Sequence, residues 1–312
     1  MGPGKAFELL IKKILMNIGF SEVKSDGVYI YDGPPGQMIQ GLGESHNADV
    51  LLEPPVQIPF YSKTRLLIEC KNYREKVGLN IIRSALGLRE DINNFNVVDI
   101  KDLKLRRNQR RSFSPPRIER YSYQVAVASF KGFTIPAQEF AAAYRIPLIE
   151  FNKLSFWTTF CEKIGYSDSL GNYNQNNNTP EILEKQLLNF ADEIRHQMAV
   201  AITNSGQMLF LFHEKSGDIK FDQDYSLHWK NPQEPWILKS GGEEYQFQLP
   251  TDILNNWLSG SLNEITMKLN AIHCKNDYMA NMMVYFTDHG EPSIKMISID
   301  KSQLEEAKRY LE

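Results

Sequence analysis

The sequence predicts an α/β amino-terminal half of about 165 residues followed by a separate α+β carboxy-terminal domain. Three observations carry that expectation. Strand-like and helix-like apolar spacings alternate from residue 5 to residue 164. Residues 166–180 are polar and nearly free of core-forming side chains, as a linker is. From residue 181 onward, short strand-like runs arrive in hairpin order between helical stretches.

The chain has 312 residues, enough for one large or two ordinary domains. Its charge is unevenly spread. Residues 1–165 hold 23 Lys and Arg against 17 Asp and Glu, a balance of +6, and residues 166–312 hold 12 against 21, a balance of −9. A basic half joined to an acidic half points to a polyanion meeting the first half only, unless the asymmetry is ordinary surface variation. The cysteines, Cys70, Cys161 and Cys274, are odd in number, widely spaced and without zinc spacing, which suits a reducing compartment. No apolar run is long enough to cross a membrane, and residues 1–8 carry no secretory pattern, so a cytoplasmic location is expected.

A helix is predicted over residues 5–18, with Phe7, Leu10, Ile11, Ile14, Leu15 and Ile18 on one stripe and Gly19 placed to end it. Glu8 lies at the stripe's edge, where it either reaches toward a site or complements the positive helix start. Residues 27–31 read as a strand and residues 32–36, Asp-Gly-Pro-Pro-Gly, as a turn. A polar loop is expected to run on to Asn47. Residues 48–52 read as a second strand with Asp49 near its start, followed by a proline-broken connection through Pro54, Pro55 and Pro59. Residues 65–71, Arg-Leu-Leu-Ile-Glu-Cys-Lys, read as a third strand. Alternation puts Leu66, Ile68 and Cys70 on one face and Leu67, Glu69 and Lys71 on the other. Opposite charges closing an apolar strand call for pairing or a metal, because bare buried charge is costly; an ion pair at a strand end fits equally well.

A helix follows over residues 79–95, with Ile81, Ala85, Leu88 and Ile92 at helical spacing. Residues 101–120 carry eight Lys and Arg against Asp102 and Glu119, with Arg106, Arg107, Arg110 and Arg111 at the centre. They form either a solvated charge run or an arm that contacts phosphates. Residues 123–129 and 147–151 read as strands, residues 135–145 and 153–164 as helices, with Pro136 suited to a first helical turn. In the second half, helices are expected over 181–198, 251–272 and 301–311. Strands are expected over 199–202, 208–212, 219–221, 225–229 and 245–249, and a final hairpin pairs 282–286 with 293–297 around His289-Gly-Glu-Pro292.

The order helix, strand, strand with Asp49, strand with Glu69 and Lys71, helix, strand, helix, strand resembles the PD-(D/E)xK nuclease superfamily, and more closely its Mrr-like branch. The residues that carry the likeness are Gly4-Lys-Ala-Phe-Glu8 with Asn17-Ile-Gly-Phe20, then Ala48-Asp49-Val, then Ile68-Glu-Cys-Lys-Asn-Tyr73. The later runs 125–134 and 141–149 complete it, so that it covers roughly residues 1–160. The resemblance implies a restriction-endonuclease-like mixed sheet flanked by helices. It implies a metal-dependent endonuclease that hydrolyses phosphodiester bonds in DNA, with RNA left open, and a role in restriction or anti-phage defence. It implies Asp49 and Glu69 as ligands of Mg²⁺ or Mn²⁺ and the main-chain carbonyl of Cys70 as a third oxygen. Lys71 would orient water or hold the scissile phosphate, and Glu8 matches a first-helix glutamate that assists the metal shell. The donor set agrees with this chemistry, since hard cations take carboxylate and carbonyl oxygens. Double-strand cleavage by a one-site chain implies a homodimer; nicking does not.

The sequence departs from that pattern in places. His46-Asn-Ala-Asp49 stands where a Pro-Asp or Gly-Gly-x-Asp approach is usual, about twenty residues separate Asp49 from Glu69, and residues 101–120 are an insertion. Asn80 and Arg83 are candidates for the later polar position. No Gly-rich phosphate loop and no H-E-x-x-H spacing occur. His273-Cys274 reads as an ordinary pair, and Trp229, Trp236 and Trp257 read as core residues. The alternative function is a non-catalytic nucleic-acid-binding or assembly subunit of the same fold. A regulatory ligand or protein partner is expected on residues 181–312.

Overall fold

In this computed structural model, the described residues are 3–34, 36–57, 62–73, 75–95, 121–154, 156–164, 166–167, 172–173, 180–204, 207–213, 219–228, 236–249 and 264–309. Helix α1 (Pro3–Asn17) buries the stripe read from the sequence, and Gly19, at φ 103°, turns the chain out of it. Strands β1 (Ser21–Glu22), β2 (Ile30–Gly33), β3 (Gly36–Gln40), β4 (Ser45–Asn47), β5 (Val50–Glu53) and β6 (Lys63–Lys71) follow. Then come α2 (Leu79–Asn94), β7 (Tyr121–Ser129), α3 (Ile135–Tyr144), β8 (Leu148–Glu150), a 3₁₀ turn (Phe151–Lys153) and α4 (Trp157–Ile164).

The main sheet has the order β1-β5-β6-β7-β8. β5 runs antiparallel to β6, while β6, β7 and β8 are parallel. The alternation expected of β6 holds. Leu66 and Ile68 join the core beneath α1, with Cys70 packed against it. Leu67 joins the opposite core with Ile82 and Ala85 of α2 and Ala137 and Ala141 of α3. Helices therefore cover both faces of the sheet, as a largely parallel sheet requires. The strand expected over 27–31 is met in part by β2, and the loop expected from there to Asn47 instead supplies β3 and β4, which join it in a three-stranded antiparallel sheet, β2-β3-β4. Its strands bury only Ile30 and Ile39, too few apolar positions to give a period-two signal.

The second half opens with a two-stranded pair, β9 (Tyr166–Ser167) and β10 (Asn172–Tyr173), inside the stretch read as a linker. Helix α5 (Pro180–Ile194) leads to β11 (Met198–Thr203), β12 (Met208–His213), β13 (Asp224–His228), β14 (Trp236–Ser240) and β15 (Glu243–Phe247). Helix α6 (Glu264–Met279), β16 (Asn281–Asp288), β17 (Glu291–Ile299) and α7 (Lys301–Arg309) complete the described chain. Seven of these strands close a barrel in the order β11-β12-β15-β14-β13-β17-β16. It is antiparallel except at β13–β17. Tyr225, Trp236, Leu238, Tyr245 and Phe247 fill it.

The expected final hairpin is β16–β17, turned by His289 and Gly290, both with positive φ, as a two-residue hairpin turn demands. Residues 219–221, expected as a strand, have no regular structure, and β14 was not foreseen. Barrel closure converts short, unremarkable runs into strands by pairing both of their edges. Parts of the predicted helix 251–272, with Trp257, and Trp229 fall outside the described residues; Trp236 is fully buried, as a core residue.

The two halves share a core. The cluster under α1 continues through Leu187 and Phe190 of α5 to Val200, Phe210 and Tyr285 of the barrel. Polar ties run along the same seam. Asn17 Nδ2 donates to the Ala191 carbonyl at 3.0 Å and to Asp192 Oδ1 at 3.1 Å, and Thr287 Oγ1 donates to the Asn17 carbonyl at 3.1 Å. Among the described residues no helix is long and apolar enough to cross a membrane.

Gly19 lies in close contact across the seam. A Cβ added there would stand 2.6 Å from Cβ of Pro292 in β17, on a backbone that L residues rarely adopt. Gly19→Ala is therefore expected to destabilise the full-length protein by about 1–3 kcal/mol, read as a lower urea midpoint. A midpoint unchanged from wild type would show that the seam yields.

Candidate functional site

The antiparallel β5–β6 ladder ends at the Val50–Ile68 pair. Asp49 stands one residue before β5, at the sheet end where β6 finishes with Glu69, Cys70 and Lys71. Because side chains alternate, Asp49 shares the face of Leu51, and Glu69 and Lys71 share the face of Leu67, so all three meet on the α2 side. Lys71 Nζ lies 2.7 Å from Glu69 Oε2 and 4.0 Å from Asp49 Oδ2. All three side chains are mostly withdrawn from solvent, at 15–20 % exposure. The sequence-predicted carboxylates and lysine are thus brought together.

Asp49 is fixed at both oxygens. Oδ2 accepts the backbone N–H of Cys70 at 2.8 Å, and Oδ1 accepts the Asn47 side-chain amide at 3.1 Å. Asn47 was not singled out in the sequence; a polar residue two positions before Asp49, on the same face of an extended chain, is the signal that finds it.

Glu8 approaches from α1, on the other face of the sheet end. Its carboxylate pairs with Lys5 Nζ at 2.9 Å. Burial raises its pKa above the ordinary range; the Lys5 hydrogen bond opposes this, and the field of Asp49 adds to it. The Cys70 thiol reports the same charge cluster. Burial pushes it well above its usual value, with Asp49, Glu8 and Glu69 all adding, so it stays protonated. Burial works against the charge on Lys71, but the field and hydrogen bond of Glu69, with Asp49 behind them, outweigh it and raise the lysine. Lys71 is therefore charged throughout the neutral range.

Asp49 and Glu69 flank Lys71, and Glu8, itself paired with Lys5, stands on the other face of the sheet end. Among the described residues no three His, Cys, Asp or Glu side chains are grouped to hold one ion. Asp49 and Glu69 are oxygen donors of the type hard cations take, but with no third side chain grouped beside them they form no all-side-chain cage. Arg106, Arg107, Arg110 and Arg111 lie outside the described residues. Asn80 is exposed on α2, and the Arg83 guanidinium stands over the Phe140 ring at 5.8 Å.

The raised pKa of Glu8 has a sign that can be measured. The folded state binds its proton more tightly than the unfolded state does, so stability falls as pH rises through the window between the two values. Glu8→Gln, which mimics the protonated form, is expected to be more stable than wild type at pH 7 and to lose that advantage below the ordinary carboxylate pKa. Parallel urea titrations at both pH values check this; a Gln variant less stable than wild type at pH 7 would contradict it.

No protein-family model matches this chain, and no curated protein matches it. The chain is similar to one solved structure titled "Crystal Structure of Protein of Unknown Function AF1548", at 13% identity and a TM-score of 0.32, over 61% of this chain and 97% of that one. A likeness of that degree establishes neither fold family nor function.

Proposed function

We propose that this chain is a metal-dependent endonuclease of the PD-(D/E)xK, restriction-endonuclease-like type, acting on DNA. The observation that carries this is the meeting of Asp49, Glu69 and Lys71 at one sheet end, with Lys71 Nζ between the two carboxylates. Phosphodiester hydrolysis needs an activated water, neutralised phosphate charge and support for a leaving alkoxide, and a bound Mg²⁺ or Mn²⁺ supplies Lewis acidity for all three. Asp49 and Glu69 would hold that ion, with the Cys70 carbonyl beside them. Lys71, charged and sheltered, offers Nζ to a phosphate oxygen or to the attacking water. Glu8 keeps further negative charge beside the shell. The arginines at 106, 107, 110 and 111 would contact the nucleic-acid backbone and make binding salt-dependent. Cutting both strands would require two copies of the chain. The acidic residues 181–312 would receive the signal or partner that governs cleavage, and restriction or defence against phage is the setting we infer.

A second reading, a non-catalytic nucleic-acid-binding subunit, is favoured by the closed Glu69–Lys71 pair and by the hydrogen bonds already occupying both oxygens of Asp49.

Plasmid cleavage in Mg²⁺ or Mn²⁺ separates the two. Wild type is expected to cut, and Asp49→Ala and Lys71→Ala are each expected to lose at least about 100-fold in rate. Equal behaviour of all three proteins would leave the binding reading standing.

A further inference from the structure

The three-stranded sheet β2-β3-β4 carries a feature that the site does not yet use. Asp91 lies in the last turn of α2, where the negative end of the helix disfavours a carboxylate. Its surroundings compensate for that placement. Asp91 Oδ2 lies 2.7 Å from His46 Nε2, Oδ1 accepts the Gly43 N–H at 2.8 Å, and the Asp91 carbonyl accepts the Leu42 N–H at 3.2 Å. The hydrogen bonds from His46 and from the Gly43 N–H hold the Asp91 carboxyl below its ordinary range.

The turn between β3 and β4 is shaped to admit this carboxylate. A Cβ on Gly41 would stand 2.0 Å from Asp91 Oδ2, and one on Gly43 would stand 3.4 Å from Asp91 Oδ1. The glycines leave the space that the carboxylate fills. β4 then runs straight to the site. His46 pairs with Ile39 and Asn47 with Met38 across the β3–β4 ladder, and the Ala48 N–H donates to the Gln37 carbonyl at 2.8 Å. The next residue is Asp49, whose Oδ1 is held by Asn47.

We propose that Asp91 and His46 are positioning residues for Asp49: they clamp the β3–β4 turn to the end of α2 and so fix the strand that presents Asn47 and Asp49 to the end of β6. This rests on the nuclease reading for its consequence but not for its geometry. It also gives a structural role to the approach His46-Asn-Ala-Asp49, which is held by the His46–Asp91 hydrogen bond and the Asn47 side-chain amide.

The test uses full-length wild type, D49A, D91A and D91N. Mn²⁺ binding is titrated by electron paramagnetic resonance, and amide exchange is followed at Cys70, whose N–H is held by Asp49, with Val200 in the barrel as a remote reference. D91A is expected to weaken Mn²⁺ binding by roughly 10–100-fold, as loss of a group that orients a ligand does. D91N, which keeps an acceptor oxygen, is expected to lose less. Cys70 should exchange faster in both Asp91 variants and in D49A, with Val200 unchanged. Cys70 exchange equal to wild type in D91A and D91N would overturn the proposal, as would equal acceleration at Cys70 and Val200 in both, which would mark a general stability role. Wild type and D49A binding Mn²⁺ alike would instead sink the metal reading, while faster Cys70 exchange in the Asp91 variants would still uphold the clamp.

Discussion

The Lys71 ammonium, 2.7 Å from Glu69 and 4.0 Å from Asp49, is the interaction on which the site depends. Two carboxylates on neighbouring strands repel each other, and withdrawal from water makes that repulsion stronger. One lysine between two carboxylates makes the arrangement tolerable without neutralising it, and Glu8, paired with Lys5, adds its field from the other face. A balance of that kind is costly for stability and useful for chemistry. It holds oxygen donors together, keeps a cation at hand and leaves a net demand for positive charge.

The rest of the architecture serves to hold that sheet end still. β6 is covered on one face by α1 and on the other by α2 and α3, so its terminal residues are aimed by packing on both sides. The same α1 that carries Glu8 is tied at its far end to α5 and to the barrel through Asn17, Thr287 and Gly19. The barrel has its own closed sheet and its own core, yet it also completes the core under α1. α1 thus joins the barrel seam to the sheet end that Glu8 approaches.

Much of this was legible in the sequence, and for physical reasons. β6 was legible as a short apolar run that ends in Glu69, Cys70 and Lys71, whose faces follow from the pleat, and α1 announced its buried stripe because six apolar residues repeat at helical spacing. Asp49, Glu69 and Lys71 were grouped by the order of elements around them and the resemblance it carries, since a Glu-x-Lys ending an apolar strand is common by itself. β3 and β4 were missed because they bury little, and the barrel was missed because closure is a property of pairing between distant strands, such as β11 with β16, which local pattern does not encode. The Asp91–His46 clamp was invisible for the same reason: 45 residues separate its partners, and only the glycines at 41 and 43 hint that something must come close.

The proposed function requires Asp49 and Glu69 to share a divalent cation with Lys71 beside it. A crystal soaked in Mn²⁺ and measured at the manganese edge decides whether they do. One anomalous peak is expected at the end of β6 within coordination reach of an oxygen from each of Asp49 and Glu69. A structure with Lys71 still closed on Glu69 and no peak between the two carboxylates would contradict it.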